Sequence, residues 1–365
     1  MVLEITAVAS LGAWLYLFTA RGNFWQIGAP PKPAPSAAAK SVCVIIPARD
    51  EESVVAEAIT SLLPWHVILV DDHSSDRTVE VAAQAGATVI RAGPLPEGWS
   101  GKLWAIAEGV KHAAALQPDY VLFTDADIVH APGNIAELVA RAETGNLDLV
   151  SLMVKLHCGS LAETLLIPAF VFFFFMLYPP AWVASRYRKT AAAAGGCILI
   201  RPSALDRIGG IAAIRGEIID DCALARAVKR TGGRIWLAVT EDTRSIREYD
   251  TFEPIRAMIA RTAFAQLHHS IFLLAGTILG MAVIFVAPPV LLLTRNPVAA
   301  IFGLATWALM SIAYIPALRF YGRSVAWAPL LPLVALFYMS ATVDSAISYW
   351  SGRGGVWKNR VQDAK

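Results

Sequence analysis

Hydrophobic and polar positions divide the chain into zones. From Ile5 to Ala20 there is no charge until Arg21, which predicts one membrane-spanning helix within residues 1–22. A secretory signal is the rival reading, but no Lys or Arg precedes the apolar stretch and no clear cleavage site follows. Residues 23–40 form a Pro/Ala-rich linker, stiff and extended, with Pro30, Pro31, Pro33 and Pro35. Between 41 and 250 charges are frequent, and short apolar runs alternate with helical patterns. Residues 251–269 predict an interfacial helix. Within 270–350 come three long uncharged runs, 271–294, 296–318 and 324–343, each long enough to cross a bilayer. Pro288, Pro289, Pro316, Pro329 and Pro332 are expected to kink or end them. A basic tail, 351–365, closes the chain.

One further apolar run, 164–185, interrupts the polar region. A single crossing there would place Asp125 and Asp221 on opposite sides of the membrane. Pro168, Pro179 and Pro180 also cut it short, so the expectation is an interfacial or re-entrant helix, with an ordinary buried helix as the alternative.

Five runs in the polar region read as strands: Val42–Pro47, Val67–Val70, Thr88–Arg91, Tyr120–Thr124 and Leu147–Val154. Helical patterns follow the first (Ser53–Leu62), second (Ser75–Ala85) and fourth (Pro132–Glu143), and Lys102–Ala115 precedes the fourth. Such alternation predicts an α/β fold: a mostly parallel sheet with helices on both faces, its ligands beyond the strands' carboxyl ends.

Composition adds the membrane. Of 365 residues 56% are hydrophobic and only 16% charged, with mean hydropathy +0.52, which excludes a purely soluble domain. A net charge of +2 argues against nucleic-acid binding. Cys43, Cys158, Cys197 and Cys222 are far apart, which excludes a disulfide scaffold or zinc ribbon and suits a reduced, cytosol-facing protein.

The chemistry gathers at predicted strand ends: Pro47-Ala48-Arg49-Asp50-Glu51-Glu52, Asp71-Asp72-His73-Ser74-Ser75-Asp76 and Thr124-Asp125-Ala126-Asp127. Two carboxylates one residue apart can both turn to a hard cation that also takes phosphate oxygens. No glycine-rich phosphate loop is present, so metal with Lys or Arg must meet a diphosphate, and Lys102 is the nearest candidate. Taken singly, Asp72 or Asp127 could equally be a turn acid or helix cap. Asp220 and Asp221 open a further helical run. They are either acids favoured by a helix N-terminus or the source of a general base.

Val44 to Glu52 and Val70 to Thr78 resemble the opening of family 2 glycosyltransferases with the GT-A fold, a nucleotide-diphospho-sugar transferase domain. Asp125-Ala126-Asp127 is similar to their Asp-x-Asp metal motif, and Asp220-Asp221 stands where the family has Glu-Asp. Within the family, the nearest likeness is to hopene-associated glycosyltransferases. It rests on Gly98 to Ala105, Arg261 to Leu267 and Gly352 to Lys358. The resemblance implies that Glu51 and Asp72 hold the nucleotide base and ribose, and that Asp125 and Asp127 handle ribose, diphosphate and Mn2+ or Mg2+, with Asp127 the direct ligand; Pro47 and Lys102 join the expected donor-binding set. Asp221 would be the base, with Asp220 beside it. Where many membrane members carry Gln-x-x-Arg-Trp, this chain has Met258-Ile259-Ala260-Arg261-Thr262. Only the arginine survives, which argues against a processive synthase and leaves Arg261 as a phosphate contact or a basic anchor.

The expected protein is a multi-pass enzyme of the bacterial inner membrane with its catalytic domain on the cytoplasmic face. It would transfer a sugar from a UDP-sugar to a lipid, hopanoid-related, by metal-dependent inversion. Rivals are a polyprenyl-phosphate sugar synthase, a carotenoid- or ceramide-type transferase, and a degenerate scaffold of the same fold. Arg319 and Arg323 favour a cytosolic loop; the basic tail (Arg353, Lys358, Arg360, Lys365) would also prefer the inside, so one apolar run is expected to be re-entrant. His73, His157, His268 and His269 read as loop, core or interfacial residues. Trp99 and Trp104 read as stacking or packing residues.

Overall fold

The computed structural model describes residues 1–34, 39–357 and 360–363, so Pro35 of the linker and Lys358 and Lys365 of the tail lie outside the described residues. The elements begin α1 (Val2–Ala20), β1 (Val42–Ala48), α2 (Val55–Leu62), β2 (His66–Asp71), α3 (Thr78–Gln84), β3 (Thr88–Arg91) and α4 (Gly101–Ala114). They continue β4 (Tyr120–Thr124), β5 (Ile128–His130), α5 (Asn134–Gly145), β6 (Leu149–Lys155), α6 (Leu161–Leu177), α7 (Pro180–Ala184) and β7 (Cys197–Ile200). Then follow α8 (Pro202–Ile208), α9 (Asp220–Arg230), β8 (Ile235–Ser245), α10 (Phe252–Gln266), α11 (Ile271–Met281), α12 (Ala287–Leu291), α13 (Pro297–Phe320) and α14 (Leu331–Trp350). A two-stranded ribbon, β9 (Gly354–Trp357) with β10 (Arg360–Asp363), ends the chain. The chain forms two compact units, one of residues 29–157 and 182–247, the other of 1–28, 158–181 and 248–365.

The first unit is built on an eight-stranded sheet in the order β3-β2-β1-β4-β7-β6-β8-β5. Strands β3, β2, β1 and β4 are parallel, as the alternation of strands and helices predicts. β7 runs antiparallel between β4 and β6, β8 is parallel to β6, and β5 is antiparallel to β8. The sheet is therefore mixed. The sequence reading missed β5, β7 and β8: β5 has three residues and β7 four, too short for a period, and β8 mixes charged with apolar positions.

Alternation along β1 explains how both faces are covered. Val44 and Ile46 lie in one core with Ile59 and Leu62 of α2 and with Ile135, Leu138 and Val139 of α5. Ile45 points the other way, to α4, where Gly109 lies so close that a Cβ would stand 2.5 Å from Ile45 Cγ2. Ser53, Ser75 and Pro132 do not cap helices: the N-caps of α2, α3 and α5 are Val54, Arg77 and Gly133. Ser75 is used instead to join two strand-end turns, its amide donating to Asp50 Oδ1 (2.7 Å) while the Glu51 amide donates to Thr78 Oγ1 (2.7 Å). These bonds hold the acidic loops after β1 and β2 side by side.

The second unit is helical and apolar. Among the described residues five helices are long and apolar enough to cross a membrane: Val2–Ala20, Leu161–Ala184, Ile271–Leu291, Pro297–Phe320 and Val325–Trp350. Where the sequence suggests a helix lying along the bilayer, α6 is an inner helix of this unit. Phe172 packs on Phe24 and Tyr314, Phe173 on Phe285 and Tyr338, and Tyr338 Oη donates to the Leu166 carbonyl. Helix α6 also runs through Pro168 instead of stopping there. A capping box between Ser160 and Glu163 starts it, and the Tyr249 amide also donates to the Glu163 carboxylate. Helix α10 is tied to α14 by an ion pair between Arg256 and Asp344.

Candidate active site

The site is laid out by strand ends. β4 delivers Asp125 and Asp127. Because β7 runs antiparallel to β4 with Thr124 opposite Cys197, the residues before β7 run back along the acidic end of β4, and Gly195 reaches the same cavity as Asp125. The first turn of α4 contributes Lys102 and the first turn of α9 contributes Asp220 and Asp221. One cavity is lined by Pro47, Lys102, Asp125, Gly195, Asp220 and Asp221, over an apolar floor that includes Phe123, Ile198 and Ile214. Five of those six, from four separate segments, are site residues expected from the sequence; Gly195, in the Gly195-Gly196 pair, reads there as either a turn or part of an acceptor pocket.

Lys102 is the hub of this cavity. Its Nζ lies 2.9 Å from Asp125 Oδ1 and 3.6 Å from Asp220 Oδ2. Burial disfavours its charge, but Asp125, Asp220 and Asp221 together outweigh burial and raise its pKa. Asp221 responds in the opposite sense. Burial, then the neighbouring Asp220, pushes its carboxyl up to about 6, against the pull of Lys102 and of two backbone donors. Those donors are the Gly195 amide to Oδ2 (2.9 Å) and the Cys222 amide to Oδ1 (2.7 Å). Gly195 leaves the two charged groups little spare room: a Cβ there would stand 3.3 Å from Lys102 Nζ, which would have to shift slightly, and 3.5 Å from Asp221 Oδ2, an ordinary contact.

A second cluster forms around Arg247, which sequence reasoning missed. Its Nε donates to Asp127 Oδ2 (3.0 Å) and its Nη2 to Glu51 Oε2 (2.7 Å), while Ser245 Oγ donates to the same Asp127 oxygen (3.0 Å). Burial lowers the guanidinium's affinity for its proton, but Asp127 and Glu51 prevail and raise it. Asp125 and Asp127 thus do not face one partner. One side chain turns to Lys102 and the other to Arg247.

The remaining candidates fall elsewhere. Asp72 is buried at 1% exposure beneath Arg49, whose Nη1 donates to the Asp72 carbonyl (3.0 Å) and lies 3.6 Å from its carboxylate. Neither Asp72, Glu51 nor Asp127 lines the cavity of Asp221. Arg261 stands on α10, in the apolar unit. Trp104 packs edge-on against Trp99 and donates to the Gly93 carbonyl, a packing role. His73 occupies a left-handed turn position, and His269 stacks on Tyr349.

The donor set suits a hard divalent ion in chemistry, because Asp125 and Asp127 offer carboxylate oxygens and a diphosphate supplies the rest. Among the described residues no group of three His, Cys, Asp or Glu is gathered to hold one. Lys102 and Arg247 supply positive charge at those two acids.

Residues 43–209 match the model of the family "Glycosyl transferase family 2". A 4,4'-diaponeurosporenoate glycosyltransferase of Staphylococcus aureus (strain bovine RF122 / ET3-1) is 38% identical over 94 residues, and that of strain USA300 is 37% identical over 94 residues. The match spans 24% of this chain and 24% of each relative, about a quarter of their length. A solved structure of the mannosyltransferase PcManGT from Pyrobaculum calidifontis, in complex with GDP-Man and Mn2+, is similar with TM-score 0.55 and 19% identity. It covers 94% of this chain and 98% of that one, a likeness of fold. Acids gathered at the strand ends of a mixed sheet, the family match over residues 43–209 and the shared fold lead to one conclusion: this region is a domain of the family 2 glycosyltransferase type, built on a GT-A fold.

Proposed function

We propose that the protein transfers a sugar from a nucleotide diphosphate donor, a UDP-sugar, to a lipid hydroxyl at a membrane surface, with inversion at the anomeric carbon. The observation that carries this reading is the convergence of Lys102, Asp125, Asp220 and Asp221 on one cavity, with Asp221 held near neutrality. A carboxylate with a raised pKa suits a general base. Asp221 takes the acceptor's hydroxyl proton. The acceptor oxygen bonds to the anomeric carbon, and the bond to the diphosphate breaks with its electron pair leaving on the phosphate oxygen. Asp125 and Asp127 would hold Mn2+ or Mg2+, which supplies Lewis-acid stabilisation of a leaving diphosphate when bound. Lys102, a cation whose side chain is 20% exposed, balances the same negative charge. Glu51, Asp72 and Pro47 are assigned to the nucleotide, and Arg261 to the acceptor side.

The membrane half of the proposal rests on the five apolar helices and on the similarity to an enzyme named for a carotenoid acid. A catalytic domain at 41–250, anchored by helices at both ends on the cytoplasmic side of a bacterial membrane, can meet an apolar acceptor without extracting it. The hopanoid assignment of the acceptor rests on Gly98 to Ala105 and Arg261 to Leu267.

The test is thermal unfolding of the purified chain with UDP and Mn2+, followed by mass spectrometry of lipids from cells with and without an active copy. UDP with Mn2+ should raise Tm, Asp127→Ala should remove that rise, and the active copy should add a hexose-sized lipid product. A rise indifferent to metal and to Asp127 would refute the assignment of the metal site.

A further inference from the structure

Helix α9 carries Asp220 and Asp221 in its first turn and Lys229 in its last, about 13 Å further along the axis. Lys229 is committed to one task. Its ammonium donates to the carbonyls of Trp182 (3.2 Å), Val183 (2.6 Å) and Thr190 (2.6 Å), three bonds that pin both ends of the intervening loop to the helix. Burial lowers the pKa of this lysine, and three carbonyl partners match its three N–H donors.

The pinned loop is Ser185-Arg186-Tyr187-Arg188-Lys189, directly after the apolar stretch Leu161–Ala184. Arg186, Tyr187, Arg188 and Lys189 are all exposed, Tyr187 at 97%, and the Arg188 guanidinium lies 4.7 Å from the Trp182 ring centroid. No acidic residue occurs between Glu163 and Asp206. A rigidly held loop with three cations and an outward tyrosine, next in sequence to an apolar helix, has the composition that anionic head groups attract: basic side chains for phosphate, an amphipathic ring for the interface.

We infer that the Ser185–Lys189 loop docks on the phosphate head groups of anionic phospholipids, and that Lys229 transmits that contact to α9 and so sets the height of Asp221 above the membrane. The inference rests on the membrane-surface reading of the function but not on any particular sugar or acceptor. The three cations reach lipid phosphate while the cavity of Lys102 keeps the donor's diphosphate at the other end of α9.

The test places a benzophenone amino acid at Tyr187 in the full chain, reconstituted in nanodiscs of equal parts phosphatidylcholine and phosphatidylglycerol. Lipid adducts are identified by mass spectrometry after illumination. Three basic side chains predict an excess of phosphatidylglycerol over phosphatidylcholine adducts of about tenfold to a hundredfold. The variant Arg186→Gln/Arg188→Gln/Lys189→Gln should return the ratio to that of the bulk lipid. Arg186→Lys/Arg188→Lys, which keeps the charge, should keep the excess. A bulk ratio with the loop intact, no lipid adduct at all, or an excess lost on the charge-conserving change would each overturn the inference. The UDP and Mn2+ melting shift, taken on the same samples, reports on the catalytic reading independently.

Discussion

Asp221→Asn separates the proposed base from its surroundings with minimal change of shape. The asparagine keeps one oxygen to accept from either the Gly195 or the Cys222 amide, but presents N–H groups where the second donor already points. The carboxyl's rise from 3.8 to about 6 is about two pKa units, or about 3 kcal/mol of disfavoured ionisation in the fold. The sign follows from linkage. An acid whose folded pKa is raised leaves full stability below pH ~4 and loses it as pH climbs through about 6, because the unfolded chain ionises first. The parent should therefore lose up to about 3 kcal/mol from this group across that window, and Asp221→Asn should remove that slope in urea titrations. In catalysis, kcat/KM of the parent should rise with pH through about 6 and then level. The variant should lose that limb and fall about 10²- to 10⁴-fold in kcat, the range for a general base, while UDP binding stays within a few-fold. The assay is a pH series of radiolabelled sugar transfer from UDP-sugar into extracted lipid. Retention of more than about a tenth of kcat, with the limb near pH 6 intact, would refute the base and favour an acceptor that is itself a phosphate.

Three further outcomes can be checked on purified protein. Arg247→Gln removes the cation shared by Glu51 and Asp127, whose side chains are only 11% and 14% exposed, so stability should fall by about 2–4 kcal/mol in urea melts, and Mn2+ should recover more of it in the variant than in the parent. His130 is buried between Thr124 and Asn134, and burial pulls its pKa down to about 4. Its neutral ring contributes up to about 3 kcal/mol that is present above pH ~6.5 and lost as pH falls toward 4, a slope that His130→Gln should flatten. Gly109→Ala pushes a methyl against Ile45 and Val70 and should cost about 1–3 kcal/mol of stability without altering UDP affinity.

Much of the catalytic unit was legible because its signals are local. Five strands announced themselves as apolar, β-branched runs, and the acids that follow β1, β2 and β4 lie next to those runs in sequence. Arg247 was not legible for the converse reason. It stands 120 residues from Asp127, and the two meet because β8 pairs antiparallel with β5, Ser245 opposite Ile128, which sets Ile246 against Asp127 and brings Arg247, the second residue beyond β8, onto its carboxylate. A three-residue strand gives no periodicity to read, so its partner's position could not be foreseen. The apolar segment 164–185 shows a different failure. Its prolines suggested a broken helix, yet Pro168 sits inside α6, where aromatic packing from four other segments holds the helix around the lost bond to Thr164.

Charge explains why the acids fall into two nests. Among the described residues, the ion pairs of the carboxylates Glu51, Asp125, Asp127 and Asp220 run to two basic side chains, Lys102 and Arg247, and the charge of Lys102 also acts on Asp221. Left to Coulomb repulsion, five such groups at neighbouring strand ends would spread apart, raise their pKa values or unfold the loops that carry them. The fold uses each available remedy. Lys102 gathers Asp125 and Asp220, Arg247 bridges Glu51 and Asp127, and Asp221, buried and then beside Asp220, carries a raised pKa. A dianionic diphosphate entering this field meets five carboxylates whose two cations are already engaged with them. Under the proposed function, donor binding must therefore bring in more positive charge or break one of these pairs, and Asp125 and Asp127 are the oxygen donors through which a divalent ion would meet the first requirement.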